Sequence, residues 1–139
     1  MQRRDFVKMA VALAAFPSLP ALAASLQDNF KVLDPLVGKA MAAYNAKNWK
    51  NFYAGWADQV KSIQTELAFS SMYVGMYHKQ YGAFKSRKLV EAKSTFNDMM
   101  GLLVYNAEFS AKKGQLSVNF FKEGGKYKIQ QIRIDPPSA

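Results

Sequence analysis

The chain has no cysteine and a single histidine, and each shortage excludes chemistry. Without thiols there is no disulfide, no thiolate nucleophile and no lipid-bearing cysteine at a cleavage site. With one imidazole and no run of carboxylates spaced for calcium, the donor set for a structural metal is missing, so neither a metal nor a cofactor is expected. No glycine-rich loop opens a helix: Gly124-Gly125 sits between alternating strand-like segments, and a phosphate cradle needs the following helix whose amides hold the anion. A long apolar run is also lacking. The apolar stretch Val7 to Phe16 is followed by Pro17 and Pro20 and falls well short of the roughly 20 residues that span a bilayer, so no membrane anchor is expected in the mature form. Acidic residues are in short supply, 10 Asp and Glu against 19 Lys and Arg, for a net charge of +9. Such a surface attracts phosphates, anionic lipids or acidic partners. The lysines are scattered along the chain, not gathered into one stripe, so no nucleic acid partner is expected.

What is present begins at the amino terminus. Arg3, Arg4 and Lys8 form a positive leading region, the apolar stretch follows, and Ala21-Leu22-Ala23 is a small-x-small cleavage site. The order Arg3-Arg4-Asp5-Phe6-Val7-Lys8 resembles a twin-arginine export signal, with Gln2 in place of the usual Ser or Thr. The resemblance implies the twin-arginine export machinery as a partner, a periplasmic or otherwise exported location, and folding before transport. A cysteine-free chain suits a reducing folding compartment. The expected organisation is a signal peptide over 1–23, a flexible lead over 24–33, one α+β domain over 34–135 and a tail over 136–139.

Within the domain, Asp34-Pro35 reads as a helix start, with Asp as cap and Pro at the first helical position. Leu36, Ala40, Ala43 and Tyr44 then share one face to about Lys47. Asn48 caps a second, shorter helix that carries Trp49, Phe52, Tyr53 and Trp56 as an aromatic stripe. A third helix is expected from Thr65 to Tyr81, ended by Gly82, with Phe69, Met72, Tyr73, Met76 and Tyr77 on its buried side. From Ala83 the period becomes alternating, the pattern of antiparallel strands. Strands are expected over Phe84 to Phe96 and Leu102 to Phe109, then, after a Lys112-Lys113-Gly114 turn, through Leu116, Val118 and Phe120, with a hairpin at Glu123-Gly124-Gly125. In the last strand Tyr127 and Ile129 sit at odd positions and Ile132 and Ile134 at even ones. A bulge at Gln130-Gln131 returns all four to one face and bends the sheet. The fold class is therefore α+β, with the helices in the concavity of a bent four-stranded antiparallel sheet.

Gly82-Ala83-Phe84-Lys85-Ser86 at the helix-to-strand joint, and the hairpin Gly124-Gly125-Lys126-Tyr127-Lys128-Ile129-Gln130-Gln131-Ile132-Arg133-Ile134, resemble the nuclear transport factor 2-like, or cystatin-like cone, superfamily. The likeness covers about Asp34 to Asp135 and is nearest to small exported members of unassigned function. It implies a cone whose lining sets the activity, which across relatives ranges from isomerases and dehydratases to non-catalytic binding and dimerising subunits.

Trp49, Phe52, Tyr53 and Trp56, joined by Tyr73, Met76 and Tyr77, are the candidate ligand-binding residues: large apolar surfaces with a few hydroxyls can line a pocket or fill a core. Phe121, opposite in phase to Phe120, is expected on the outer sheet face, where relatives often form a homodimer. No catalytic residue is assigned. His78 lacks an acidic partner at helical spacing, and the carboxylates Asp58, Glu66, Glu91, Asp98 and Glu108 read as exposed; the resemblance raises Asp58 with Tyr73 as analogues of an isomerase pair, but no motif places them. The expectation is an exported, non-enzymatic domain that binds a small apolar or amphipathic ligand, or a protein partner, through the cone or outer sheet face. The alternative is an isomerase- or dehydratase-like enzyme with a carboxylate and tyrosine in the cone. For the export signal, replacing Arg3 and Arg4 together by Lys is expected to abolish export; cell fractionation that finds the double variant outside the cytoplasm at the normal level rules out the route.

Overall fold

Four residues back from Pro35 lies a carbonyl, that of Lys31, which loses its helical partner because proline has no N–H. The helix nevertheless runs straight through this position. The computed structural model describes residues 19–137, with side chains from residue 26 onward, and helix α1 spans Leu19–Ala46. Its cause is a stripe at three- and four-residue spacing on both sides of the proline: Leu26, Phe30, Leu33, Val37, Ala40 and Tyr44 all face the core. Burying such a stripe outweighs a penalty of about 3 kcal/mol for one interior proline. The segment 24–33, expected as a flexible lead, is therefore helical, and Asp34 is not a cap but a mid-helix residue with another use. Arg3, Arg4, Phe6 and Lys8 of the expected export signal lie outside the described residues.

Asn48 does cap the short helix α2, Trp49–Phe52, its side-chain oxygen accepting from the Asn51 amide at 3.2 Å. A 3₁₀ segment, Asp58–Ile63, leads to α3 over residues 66–81, where the Thr65 hydroxyl accepts from the Ala68 amide at 3.1 Å. Helix α3 is α-helical only at its ends, Glu66–Ala68 and Lys79–Tyr81; between them Phe69–His78 is wound as a π-helix. A π turn takes up more residues than the 3.6 of an α turn, so the four-residue repeat Phe69, Tyr73, Tyr77, Tyr81 stays on the inner side, and all four rings are buried. The same winding corrects an expectation. Met72 and Met76, which an α period places beside Phe69, turn outward and are 45% and 47% exposed.

The sheet is antiparallel and built from β1 (Phe84–Leu89), β2 (Thr95–Phe96), β3 (Met100–Phe109), β4 (Lys113–Glu123) and β5 (Lys126–Asp135), in the order β1-β3-β4-β5 with β2 also on β3. The first expected strand is thus two. Both pieces pair with the same edge of β3, β1 against Tyr105 to Phe109 and β2 against Gly101 and Leu102, so one edge strand is interrupted by the 3₁₀ turn Glu91–Lys93. At the break the Val104 carbonyl accepts from the Val90 amide and the Val104 amide donates to the Ser94 hydroxyl, which keeps the ladder satisfied. The β3–β4 connection falls at Ser110 to Lys112, two residues earlier than expected, and Gly114 is inside β4 opposite Ala107, under the Tyr81 ring. Gly124 and Gly125, both at positive φ (61° and 81°), make the two-residue turn that matches strand twist.

The expected bulge is present: Asn119 faces Gln131 and Phe120 faces Ile129, leaving Gln130 as the extra residue. Leu103, Tyr105, Ala107 and Phe109 of β3, Leu116, Val118 and Phe120 of β4, and Ile129, Ile132 and Ile134 of β5 all reach the core on the helix side. The molecule is α+β, its helices packed in the hollow of this sheet, with five strands where four were expected. Among the described residues no helix is long and apolar enough to cross a membrane.

Candidate functional site

Phe52 ends α2 at the centre of a ring cluster. Its centroid lies 4.5 Å from Tyr73, 5.1 Å from Phe69, 5.2 Å from Tyr53 and 5.5 Å from Trp56. Tyr53 meets Trp56 edge-on at 4.9 Å, and Tyr73 meets Tyr77 at 5.5 Å. Of the candidate ligand-binding residues, Phe52, Tyr53, Trp56, Tyr73 and Tyr77 are thus brought together as mutually packed, buried rings. Trp49 lies half-buried on the flank beneath the Lys50 ammonium, and Met76 is on the outside. The cluster is tied to the sheet by two polar links. The Tyr73 hydroxyl donates to the Ile132 carbonyl at 2.8 Å, and residues 55–57 join the edge of β5, where the Ala57 amide donates to the Ile129 carbonyl and the Ile129 amide to the Gly55 carbonyl. Burial, then the neighbouring Tyr53 and Tyr77 phenols, pushes the Tyr73 phenol far above its ordinary range against the opposing hydrogen bond.

The carboxylates go elsewhere. Asp58, Glu66, Glu91, Asp98 and Glu108 are exposed, so the structure does not assemble Asp58 with buried Tyr73. His78 is half-buried with its ring 5.0 Å from that of Tyr44. The acid that does enter the fold is Asp34, whose Oδ1 accepts from Arg87 Nε at 3.0 Å and from the Tyr105 hydroxyl at 2.8 Å, linking α1 to β1 and β3. Burial, then the bond and charge of Asp34, raises the Tyr105 phenol. Because Arg87 neutralises Asp34, this group is a positioned ion pair, not a free base. Sequence reasoning missed it, since the partners come from α1, β1 and β3 and no spacing along the chain joins them.

Open space lies along α1. One cleft of about 530 Å³ is bounded by Leu36, Ala40, Ala43 and Ala46 of α1 and by Phe52 and Ile129; Ala42, Ala54 and Gly55 also border it. A second, of about 560 Å³, continues toward the start of the helix between Val32, Leu33, Pro35 and the β4–β5 hairpin. The two share Leu36 and Lys39. Phe52 alone among the candidate residues reaches this space. The sequence signal that marks it, which the aromatic stripe obscured, is the alanine run of α1, side chains too short to fill the gap to α2. The chain matches no known protein-family model, and no curated protein matches it significantly.

Trp56 is 4% exposed, and its Nε1–H has no acceptor among the described residues. Trp56→Ala is expected to cost about 3–5 kcal/mol in urea unfolding, whereas Trp56→Phe, which also removes the unsatisfied donor, costs much less. A second expectation concerns pH. Burial raises the phenols of Tyr44, Tyr73 and Tyr105, so the folded state keeps protons that the unfolded chain loses near pH 10. Their stabilising contribution is complete below about pH 9 and falls as pH rises beyond about 10; unfolding midpoints that do not fall between pH 8 and pH 11 contradict this.

Proposed function

We propose that this chain is an exported, non-enzymatic binding domain of the nuclear transport factor 2-like type, which holds a small apolar or amphipathic ligand in the groove along α1. The observation that carries the reading is the contrast between two spaces. The aromatic interior is closed by ring-on-ring contacts, while the adjacent clefts beside α1 are open to solvent at Ala42, Ala46 and Ala54, with buried Ala40, Ala43, Phe52 and Ile129 behind them. The order of helices, bulged sheet and closing hairpin supports the superfamily, and the leader with Arg3 and Arg4 supports export. The isomerase- or dehydratase-like alternative draws less support, because the carboxylate that contacts a tyrosine, Asp34, is committed to Arg87. A sheet-face homodimer is favoured by one feature: Met100, 44% exposed, lies opposite half-buried Phe121.

Native mass spectrometry of the full chain recovered from producing cells is expected to show a copurified small molecule, and Ala42→Trp, on the exposed side of the cleft, is expected to remove it. The same spectrum reports subunit number. A wild-type chain that is ligand-free and takes up no neutral apolar dye such as 1-aminoanthracene overturns the reading.

A further inference from the structure

The two clefts, which meet at Leu36 and Lys39, differ in chemistry. The one nearer α2 is bordered by alanines, Leu36, Phe52 and Ile129. The other cleft is bordered by three lysines from two elements, Lys39 from α1 and Lys122 and Lys126 from the β4–β5 hairpin. No aspartate or glutamate lines either cleft. Two nearby acids are committed elsewhere, Asp34 to Arg87 and Tyr105, and Glu123 to the amides of Asp58 and Gln59 and to Lys128, while Asp28 lies exposed one turn before Val32 on α1. Lys122 is held over the Tyr127 ring, 5.1 Å from its centroid, and Tyr127 itself donates to the Asn97 carbonyl. The basic cleft is therefore partly preorganised, and among the described residues its lining is basic with no acid in it.

The saddle between the clefts is built by one close approach. A Cβ on Gly55 would come within 2.5 Å of Leu36 Cδ1, so a larger residue there displaces the Leu36 side chain from its place against Gly55. With Leu36 in that place, Lys39 borders both spaces.

We infer, building on the groove-binding reading above, that the ligand is a single-chain amphiphile with an anionic head, carboxylate or phosphate, its chain on the alanine floor and its head among Lys39, Lys122 and Lys126. An anion there forms charge-assisted hydrogen bonds with lysines that border one cleft. A neutral head of the same length gains no such charge-assisted bond. The alanine floor accepts the chain without specificity for its fine structure, so discrimination lies at the head.

The test displaces 1-aminoanthracene from the purified full chain with laurate, dodecyl phosphate, 1-dodecanol or dodecyltrimethylammonium. Laurate or dodecyl phosphate is expected to displace the dye at a concentration about tenfold or more below that of dodecanol, and the stronger of the two identifies the head. The preference shrinks as salt is raised and disappears in Lys39→Gln/Lys122→Gln/Lys126→Gln, while dodecanol displacement is unchanged. Thermal melting monitors the fold of this variant, and the single change Lys39→Gln, at an exposed position, reduces the preference in part. In the charge-reversed Lys39→Glu/Lys122→Glu/Lys126→Glu chain the preference passes to dodecyltrimethylammonium. Equal displacement by laurate and dodecanol, or a preference that survives the triple Gln change, overturns the anionic head while leaving groove binding intact. Failure of the dye to bind, or dye binding unaffected by Ala42→Trp, removes the groove itself. A dimer whose dissociation on dilution exposes the dye site assigns the groove to a second copy and overturns the inference.

Discussion

The outer strand of the sheet carries one residue too many, and the helical half of the molecule is fastened at that irregularity. Gln130 has no counterpart on β4, so the ladder steps from Asn119–Gln131 to Phe120–Ile129. The step bends β5 and returns Ile129 and Ile132 to the same side of the sheet. Ile129 then offers its outward amide and carbonyl to Gly55 and Ala57, and Ile132 offers its carbonyl to Tyr73. An edge that would otherwise present unpaired backbone groups becomes the mooring for the loop after α2 and for α3. The ring cluster around Phe52 fills the hollow that this mooring defines.

Two kinds of contact divide the work inside. Packed rings supply most of the buried apolar area, in tilted and edge-on arrangements that aromatic quadrupoles favour. A few directional bonds determine where the elements sit. Tyr73 on Ile132 and Tyr44 on Gly82 position α3 and the end of α1, and Asn45, bonded through both atoms of its amide to the Phe84 backbone, holds β1. Asp34 with Arg87 and Tyr105 locks the middle of α1 across the opposite side of the sheet. Each of these polar groups is satisfied, which is the condition under which burying them is tolerable. Trp56 Nε1 is the exception, and its cost is carried by the surrounding ring contacts.

The groove follows from the same geometry. Helix α1 is docked at one side by the Asp34 ion pair and below by Leu33, Val37 and Tyr44, and the flank with Ala42, Ala43 and Ala46 faces short α2, the loop after it and Ile129. Four residues of α2 cannot cover that flank. The hairpin that closes the sheet reaches over the other end with Lys122 and Lys126. An apolar floor and a basic rim thus arise from two elements far apart in the chain, brought together by the curvature of β5.

Much of this architecture was legible along the chain because its causes are local. The alternation in β3 and β4, the Gly124-Gly125 turn, the caps at Asn48 and Thr65 and even the phase slip in β5 are written in nearest-neighbour patterns whose physics depends on backbone geometry alone. The misreadings arose where a local rule met a stronger tertiary one. Asp34-Pro35 has the chemistry of a helix start, yet a stripe from Leu26 to Tyr44 has enough core to lean on to carry the helix through it. Met72 and Met76 have the spacing of a buried α face, yet packing of Phe69, Tyr73, Tyr77 and Tyr81 against the sheet widens the winding and turns them out. The sequence by itself determined the α+β class, the strand faces and the presence of an aromatic core, since periodicity and turn chemistry act over a few residues. Only the tertiary structure decided that the rings would close on one another, that Asp34 would meet Arg87 and Tyr105, and that open space would lie between α1 and the hairpin, because those outcomes depend on distances between residues that no spacing along the chain encodes.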